Sequence, residues 1–172
     1  MAKEDDPKKC TASKLIRFNL AEPIFKINGI PKNSIVLNPF SENLLSKEAK
    51  DLSQILVAID CSWNKASNFF KRRIKGYNFR LPKLLASNPI HYGHISVLST
   101  VEALAGALYI LGYKERARLI LSKFKWGLNF LILNEEPLEA YSKAKNSKEI
   151  IILEEEFFGK KFKSKEYNVV RD

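Results

Sequence analysis

The chain has 172 residues, an apolar fraction of 45% and a formal net charge of +10. This length suits one domain, or two small lobes that share a core, and the composition is typical of a folded globular protein rather than a disordered one. Two cysteines and two histidines are too few for a disulfide scaffold or a metal site, and the basic excess indicates a polyanionic partner.

The first ten residues, MAKEDDPKKC, contain no apolar core of the kind found in a signal peptide. No other window approaches the roughly 18 uncharged apolar residues that cross a bilayer. We therefore expect a cytoplasmic protein that has no membrane partner.

The first half of the chain alternates short apolar runs with turn residues, which favours an α/β lobe. The runs interpreted as strands are LIRFNL, PIFKINGIPKNS, IVLNPFS and ILVAID. SENLLSKEAK, residues 41–50, predicts a short helix with Ser41 as its N-cap. ILVAID is apolar without alternation, which is typical of a central parallel strand covered on both faces.

The stretch between Asp60 and Glu102 has no acidic residue. The cations in this gap are Lys65, Lys71, Arg72, Arg73, Lys75, Arg80 and Lys83, and the aromatic residues among them include Trp63, Phe69, Phe70, Tyr77, Phe79 and Tyr92. Cations for phosphates and rings for unstacked bases are what looped RNA requires. The alternative is a helix with a solvated basic face whose Phe69 and Phe70 enter the core, and we prefer that interpretation for the two phenylalanines.

The second half is predicted to be helical. SVLSTVEALAGALYILG predicts a buried helix that begins near Ser99, stops at Gly112 and has Glu102 as its only charge. KERARLILSKF has helical spacing, and WGLNFLILNEEPLEAYSKA predicts a helix bent or broken near Pro137. SKEIIILEEEFF is compatible with a helix or a strand. The glutamates of this half are predicted to form an acidic side of the molecule: Glu135, Glu136, Glu139, Glu149, Glu154, Glu155 and Glu156.

The sequence DCSWNKA directly follows the predicted strand ILVAID. Ligands of open α/β sheets bind beyond the carboxyl ends of the strands, where Asp60 could hold ribose hydroxyls or an ammonium group. Its alternative role is to cap the next helix through the amides of residues 64–67. Trp63 could pack in the core, or its indole could face a sulfonium or ammonium ion.

The connection LPKLLASNPIHYG, residues 81–93, could present backbone groups to an adenine edge and the side chains of Leu84 and Leu85 to its faces. A plain surface linker is the alternative, although it leaves so many exposed apolar residues unexplained. The chain has neither G-x-S-x-G nor G-x-x-x-x-G-K. Serine-dependent hydrolysis and ordinary nucleotide triphosphatase activity are therefore not expected.

Five segments together resemble the small-subunit ribosomal RNA aminocarboxypropyltransferase family. They are DPKKCTASKL, DCSW, LPKLLASNPIHYG, LSTVEALAGALYILG and FKWGLNFLILNEEPLEAY, and they span about residues 5–144. The resemblance implies an α/β fold like that of the SPOUT methyltransferases, with a deep trefoil knot. It implies a mainly parallel sheet in an N-terminal lobe, residues 1–83, and an all-helical C-terminal lobe, residues 84–172.

The same resemblance implies that S-adenosylmethionine is a substrate, that no metal takes part, and that the 3-amino-3-carboxypropyl arm moves to ring nitrogen 3 of a methylated pseudouridine. Thr11 would bind the carboxylate of the arm, and Asp60 the ribose or the amino group. Trp63 and Ala66 would enclose the methyl group. The adenosine contacts would come from the backbone of Ile59, Leu84 and Ser99, with Ala103 nearby.

Small-subunit rRNA is the implied partner of a monomeric enzyme. Its phosphates are predicted to meet Lys8, Lys9, Lys65, Lys71, Arg72, Arg73, Lys75 and Arg80. Two features depart from the family pattern: Ala12-Ser13 stands where a glycine is common, and His91 stands where an asparagine is usual.

Several alternatives remain open at this point. Either Asp60 or water could accept the proton of the target base. The chain could instead be a SPOUT-type methyltransferase, or a non-catalytic assembly factor that clamps rRNA. A helical protein adaptor fits the acid-free basic gap less well.

Overall fold

The computed structural model describes residues 10–60, residue 70 and residues 73–159. The helices in this part are α1 (Thr11–Arg17), α2 (Thr100–Ile110), α3 (Lys114–Leu121), α4 (Gly127–Leu133), α5 (Glu135–Lys143) and α6 (Ser147–Phe158). The strands are β1 (Ile35–Leu37), β2 (Leu56–Ala58) and β3 (Tyr77–Phe79), and 3-10 helices cover Ile27–Gly29 and Lys47–Asp51. The fold is therefore α/β, with a small sheet followed by helices.

The three strands form a parallel sheet in the order β2-β1-β3. Leu37 at the end of β1 lies opposite Ala58 on one side and Phe79 on the other. All three residues of β1 are buried, whereas β2 buries only Val57. The prediction that ILVAID is the central strand is therefore wrong, because IVL of β1 is flanked on both sides.

Three further predictions for the first half are wrong. PIFKINGIPKNS contains the 3-10 helix Ile27–Gly29 and none of the three strands described. LIRFNL lies in α1 and the turn after it rather than in a strand, because Cys10 caps the helix and Leu15 enters the helical core. The predicted helix at residues 41–50 is replaced by a 3-10 helix at Lys47–Asp51. The residues before it form a bridge with Arg80, directly after β3, since Arg80 N donates to Asn43 O and Leu45 N donates to Arg80 O.

The helical second half is confirmed. Helix α2 begins after Ser99 and ends before Gly112, whose φ is +95°. The break in WGLNFLILNEEPLEAYSKA falls at Asn134 and not at Pro137, because proline in a first helical turn needs no amide bond. SKEIIILEEEFF is helix α6 rather than a strand.

The main core lies among the helices and also includes Leu15 of α1. A second hydrophobic cluster joins the C-terminal part of α2 to the sheet, where Ala107 and Leu111 pack on Ile35 and Leu37. Helix α2 thus contacts both layers, which places its N-terminus at the edge of the sheet. Among the described residues, none of the helices combines the length and the apolar character needed to span a bilayer.

Candidate active site

Asp60 lies two residues beyond β2 and is held from two distant parts of the chain. Thr100 Oγ1 donates a hydrogen bond of 2.8 Å to Asp60 Oδ1, and Cys10 Sγ donates one of 3.2 Å to Asp60 Oδ2. The carboxylate remains exposed to solvent. The residues before α1, after β2 and at the start of α2 therefore meet at one point beyond the carboxyl end of β2, the position at which ligands of open α/β sheets bind.

The N-terminus of α2 provides a positive electrostatic potential beside Asp60. Amides at the start of a helix carry partial positive charge, which favours a carboxylate beside them. Thr11 lies here as well, because its Oγ1 accepts a hydrogen bond of 3.3 Å from Val101 N. Within the described residues the hydroxyl hydrogen of Thr11 has no acceptor, so it remains available to donate to a bound carboxylate.

The serine that departs from the family pattern has a local structural role. Ser13 N and Ser13 Oγ both donate to Cys10 Sγ, at 3.4 and 3.2 Å. These bonds orient the thiol that in turn donates to Asp60. The departure at residue 13 therefore lies in direct contact with the predicted site.

Residues 80–88, which we call the strap, run as an extended segment along the helical half, and one edge of the strap is held by helix side chains. Glu154 Oε1 accepts from Lys83 N at 2.7 Å, and Tyr141 Oη donates to Lys83 O at 3.3 Å. Burial raises the pKa of Tyr141, so its hydroxyl remains protonated and able to donate. Asn134 pairs with both backbone groups of Leu85, accepting from its N–H at 2.7 Å and donating to its carbonyl at 2.9 Å.

The opposite edge of the strap pairs with residues 93–96. Ser96 N donates to Leu84 O at 2.8 Å, and Ala86 exchanges hydrogen bonds with Gly93 and His94. Ser96 has a φ of +61°, which turns the chain out of an extended path. Within the described part of the chain, the buried amide of Leu84 has no hydrogen-bond acceptor. It is the backbone group of the strap that the family resemblance directs toward an adenine edge.

The side chains of the strap are not exposed as the sequence argument expected. Leu84 and Ala86 are fully buried, and Leu84 belongs to the main core. The expectation that the Leu84 side chain would cover a face of adenine is therefore wrong, while a contact through its backbone stays a prediction. The large apolar residues that are exposed here are Ile90 and Tyr92, further along the connection.

Sequence reasoning noted Glu102 as a lone charge but did not predict its role. Its buried carboxylate accepts hydrogen bonds from Ser87 N, from Asn88 N and Nδ2, and from Ser99 N and Oγ, at 2.6 to 2.9 Å. It therefore joins the end of the strap to the start of α2. The signal was Ser99 followed three residues later by glutamate, which is the pattern of a capping box.

The remaining predicted cofactor residues are placed as follows. Ser99 uses its amide and hydroxyl on Glu102 and its carbonyl on Ala103 N, so it functions as the helix cap. Ile59 and Ala103 are half-buried, Ile59 against Val57 and its neighbours and Ala103 against the second cluster. Trp63 and Ala66 lie outside the described residues, as do the amides of residues 64–67, the alternative partners predicted for Asp60.

At the opposite edge of the sheet, an open cavity of about 580 Å³ is lined by Lys32, Arg73, Ile74, Lys75 and Gly76. We call it the basic cleft. Two turns form it: Tyr77 N donates to Ser34 O at 2.8 Å, and Ser34 Oγ donates to Pro31 O at 2.8 Å. Gly76 has a φ of +97°, and a Cβ there would lie 2.7 Å from Ser34 O.

The basic cleft brings together two of the predicted RNA-binding residues, Arg73 and Lys75. It also adds Lys32, which the sequence did not single out because it lies on a turn far away in the chain. Arg80 is placed differently, since its guanidinium forms hydrogen bonds of 2.9 and 3.2 Å with the buried carboxylate of Glu154. The other predicted RNA-binding residues, Lys8, Lys9, Lys65, Lys71 and Arg72, lie outside the described residues.

Ion pairs within the protein neutralise part of the charge of the predicted acidic side. Glu154 is buried against Arg80, and Glu139 binds Lys114 at 2.6 Å and Lys143 at 3.1 Å. The hydrogen bond from Lys114, supported by those from Lys143 and Tyr109, lowers the pKa of Glu139 to about 2. In the described residues, no group of three or more acidic, histidine or cysteine side chains is arranged to hold a metal ion.

Comparisons with known proteins agree on one family. The profile of the family described as ribosome biogenesis protein, C-terminal, matches residues 35–158. A 16S rRNA aminocarboxypropyltransferase from Methanococcoides burtonii is 48% identical over 91% of each chain, and one from Methanopyrus kandleri is 45% identical over 91% of this chain and 94% of its own.

Among solved structures, the fold is similar to that of the SAM-dependent rRNA:acp-transferase Tsr3 from Vulcanisaeta distributa. The TM-score is 0.80 at 41% sequence identity, and the match covers 87% of this chain and 84% of that chain. The resemblance detected from five short segments therefore extends over most of the chain.

Proposed function

The chain belongs to the family of 16S rRNA aminocarboxypropyltransferases, and from this premise we propose that it transfers the 3-amino-3-carboxypropyl group of S-adenosylmethionine to small-subunit rRNA during ribosome biogenesis. The observation that carries the proposal is the meeting of Asp60, Thr11 and the N-terminus of α2 at the carboxyl edge of the sheet. An acid and a hydroxyl donor are available there for an amino acid moiety. The protein is a transferase that uses S-adenosylmethionine as a substrate.

Orientation decides which group is transferred, because all three carbons bonded to a sulfonium are electrophilic. For arm transfer, the ring nitrogen of the target base forms a bond to the methylene carbon of the arm. The carbon–sulfur bond breaks, its electron pair stays on sulfur, and methylthioadenosine leaves. The proton of the ring N–H passes to a base, for which Asp60 and water are the two candidates.

Each described residue has a definite part in this proposal. Asp60 anchors the amino group of the arm or the ribose, and Thr11 donates its hydroxyl hydrogen to the carboxylate of the arm. The free amide of Leu84 meets the adenine edge, close to Ile59, Ser99 and Ala103. Trp63 and Ala66 enclose the methyl group, a role that rests on the family resemblance alone.

The RNA is proposed to lie against the basic cleft, where Lys32, Arg73 and Lys75 are exposed. Phosphate contacts of this kind give affinity without reading sequence. The target within the rRNA is a methylated pseudouridine, and Lys8, Lys9, Lys65, Lys71 and Arg72 extend the contact.

The finer architecture belongs to the same proposal. A SPOUT-like deep trefoil knot and a division into lobes at residues 83 and 84 are supported by the likeness to the family. Helix α1 packs Leu15 among the C-terminal helices, so any such division is crossed by the first helix. A cytoplasmic monomer is the expected form, and sedimentation of the purified protein at several concentrations would measure its mass.

The decisive experiment follows the label of S-adenosylmethionine carrying carbon-14 in its carboxyl group. Incubated with the protein and small-subunit RNA, the label is expected to enter the RNA while methylthioadenosine accumulates. Formation of S-adenosylhomocysteine instead would identify a methyltransferase. If calorimetry showed no binding of S-adenosylmethionine, the protein would be an inert rRNA clamp and the proposal would fail.

A further inference from the structure

The strap has an unusual division of hydrogen bonds between its two edges. Between Lys83 and Ser87, the odd-numbered residues use their backbone groups on side chains from the helical half, whereas Leu84 and Ala86 use theirs on residues 93–96. This alternation is that of an extended strand, in which neighbouring residues present backbone groups to opposite sides. The direction of the free Leu84 amide is therefore set by whatever holds Leu85.

Asn134 is the side chain that holds Leu85. It accepts from Leu85 N at 2.7 Å, and its Nδ2 donates at 2.9 Å to both Leu85 O and Phe130 O. The residue is fully buried. A buried amide with its oxygen and both hydrogens engaged has one orientation, because any other would leave buried polar groups without partners.

The position of Asn134 in the chain adds to its rigidity. It lies between α4 and α5, where its N–H donates to Phe130 O and its carbonyl accepts from Leu138 N. The amide therefore comes from a point fixed by two helices rather than from a mobile loop. Of the side chains that grip the strap, Asn134 is the one that pairs with both backbone groups of a single residue next to Leu84.

We propose that Asn134 is a positioning residue for adenosine recognition: by pairing with Leu85 it aims the amide of Leu84 at the purine of the bound substrate. This inference rests on the proposed function, because it needs S-adenosylmethionine to be the ligand. It assigns the purine end of the site to the helical half and the amino acid end to Asp60 and Thr11. Substitutions can therefore lower the affinity for the purine and the affinity for the amino acid arm separately.

The test measures binding of two ligands by calorimetry. S-adenosylmethionine has both the adenosine and the arm, whereas methylthioadenosine has the adenosine without the arm. Asn134→Ala is expected to lower the affinity for both ligands by the same factor, about tenfold. This factor corresponds to about 1.4 kcal/mol of binding free energy, or one to two lost hydrogen bonds. The kcat at saturating S-adenosylmethionine should change little, so the effect appears in KM.

Two control variants separate positioning from general loss of stability. Asn146→Ala also removes an asparagine that accepts from two backbone amides, those of Lys148 and Glu149, but at the cap of α6 away from the strap. It should lower the melting temperature and leave both affinities unchanged. Thr11→Val should weaken S-adenosylmethionine while leaving methylthioadenosine binding intact.

Asn134→Asp keeps the shape of the side chain and provides a second measurement if the alanine variant does not fold. A buried carboxyl has a raised pKa, and when protonated it offers one acceptor and one donor, as the amide does toward Leu85. Near pH 8, the variant is expected to bind methylthioadenosine about tenfold more weakly than the wild type does, and near pH 5.5 its affinity should recover toward the wild-type value. The neighbouring ionisable groups, Glu102, Tyr141 and the Arg80–Glu154 pair, are present in both proteins, so comparison with wild type removes their contribution.

The outcomes distinguish the two proposals. If wild-type protein binds neither ligand, the proposed function fails. If wild type binds both ligands and the Asn134 variants bind methylthioadenosine equally well at every pH, the function stands and the role of Asn134 is overturned. A loss confined to S-adenosylmethionine would also overturn it, because the effect would then lie at the arm.

Discussion

The two edges of the small sheet differ in how their polar groups are used. At the carboxyl edge, Asp60 is held by Thr100 and Cys10. At the amino edge, Lys32, Arg73 and Lys75 are exposed around an open cavity. The first arrangement fixes one acid at a defined place, and the second presents several cations to solvent.

This difference fits the proposed roles of the two edges, Asp60 for S-adenosylmethionine and the basic cleft for RNA. A small molecule with an ammonium group and a sulfonium is selected by a carboxylate whose position is fixed before binding, since little ordering remains to be done. A polyanion needs cations that have not already been neutralised within the protein, because its affinity comes from phosphate contacts and counterion release. Arg80 illustrates the contrast, for its charge is engaged by Glu154 and serves the strap instead.

The largest expected effect is at the carboxyl edge. Asp60→Asn keeps the size of the side chain and an acceptor for Thr100, but it removes the negative charge. We expect aminocarboxypropyl transfer to fall by about 100-fold, the usual cost of removing one partner of a hydrogen-bonded charge pair. Methylthioadenosine formation measures the rate, and Asp51→Asn, an exposed acid on a 3-10 helix, is the charge-matched control.

The same variant also decides how Asp60 is used. If Asp60 anchors the amino group, binding of methylthioadenosine is unaffected by the substitution. Weaker methylthioadenosine binding would instead indicate a contact with the ribose. An unchanged transfer rate would remove Asp60 from the site altogether.

At the amino edge, the turn at Gly76 is expected to be the most sensitive position. Gly76→Ala adds a Cβ 2.7 Å from Ser34 O at a φ of +97°, and we expect a loss of about 2 kcal/mol in the free energy of unfolding. Gly93→Ala is the matched control, because its φ is +79° but no atom lies within 4 Å. Backbone strain alone should cost about 1 kcal/mol there, and denaturant titration measures both values; equal losses would mean that the Ser34 contact has no role.

Removal of the cleft cations should weaken RNA binding about tenfold without affecting S-adenosylmethionine. Replacing Lys32, Arg73 and Lys75 by alanine should also reduce the slope of log affinity against log salt by about 2, since each phosphate contact with single-stranded RNA contributes about 0.7. Filter binding at several salt concentrations provides the measurement. The same triple change at Lys125, Lys145 and Lys148, which are exposed and form no ion pair among the described residues, removes equal charge. An equal loss of affinity would mean that net charge, not the cleft, binds RNA.

The smallest effect is expected away from both edges, at Glu139. Its pKa of about 2 lies below the ordinary carboxyl value of about 4.3, so its stabilising contribution is present above that value and is lost as pH falls toward 2. Because the side chain is 37% exposed, this contribution should stay below about 1 kcal/mol. The difference in unfolding free energy between wild type and Glu139→Gln should shrink from pH 5 to pH 2. A difference that stayed constant over this range would mean that the ion pairs of Glu139 add no stability.

The helical half was largely predictable because its signals are local. Ser99 and Gly112 bound α2 by a cap and a positive φ, which depend on a few neighbouring residues. The break at Asn134 was misplaced at Pro137 because proline stops a helix only when it lies beyond the first turn. The run of isoleucines in α6 was compatible with a helix or a strand, because the sequence does not show whether a neighbouring strand is present to pair with it.

The first half was less predictable because its elements depend on distant partners. Three-residue strands have too short a pattern to show which of them is central, and LIRFNL became helical because Leu15 found a place in the core of the other half. The candidate site shows the same division. Asp60 could be proposed from its place after a strand and Thr11 from the family resemblance, whereas the roles of Asn134, Glu102 and Lys32 could not be predicted.

The sequence by itself determined the class of the protein, the start and end of α2, the acid at the end of β2 and the family to which the chain belongs. These features depend on residue type and on the spacing of nearby residues, both of which can be read from the sequence without knowledge of the tertiary contacts. Only the tertiary structure decided which backbone groups of the strap are occupied, which cations are already paired, and that Asn134 lies beside Leu85. Such facts depend on which segments meet in space, and a hydrogen bond between residues 49 positions apart leaves no periodic trace in the sequence.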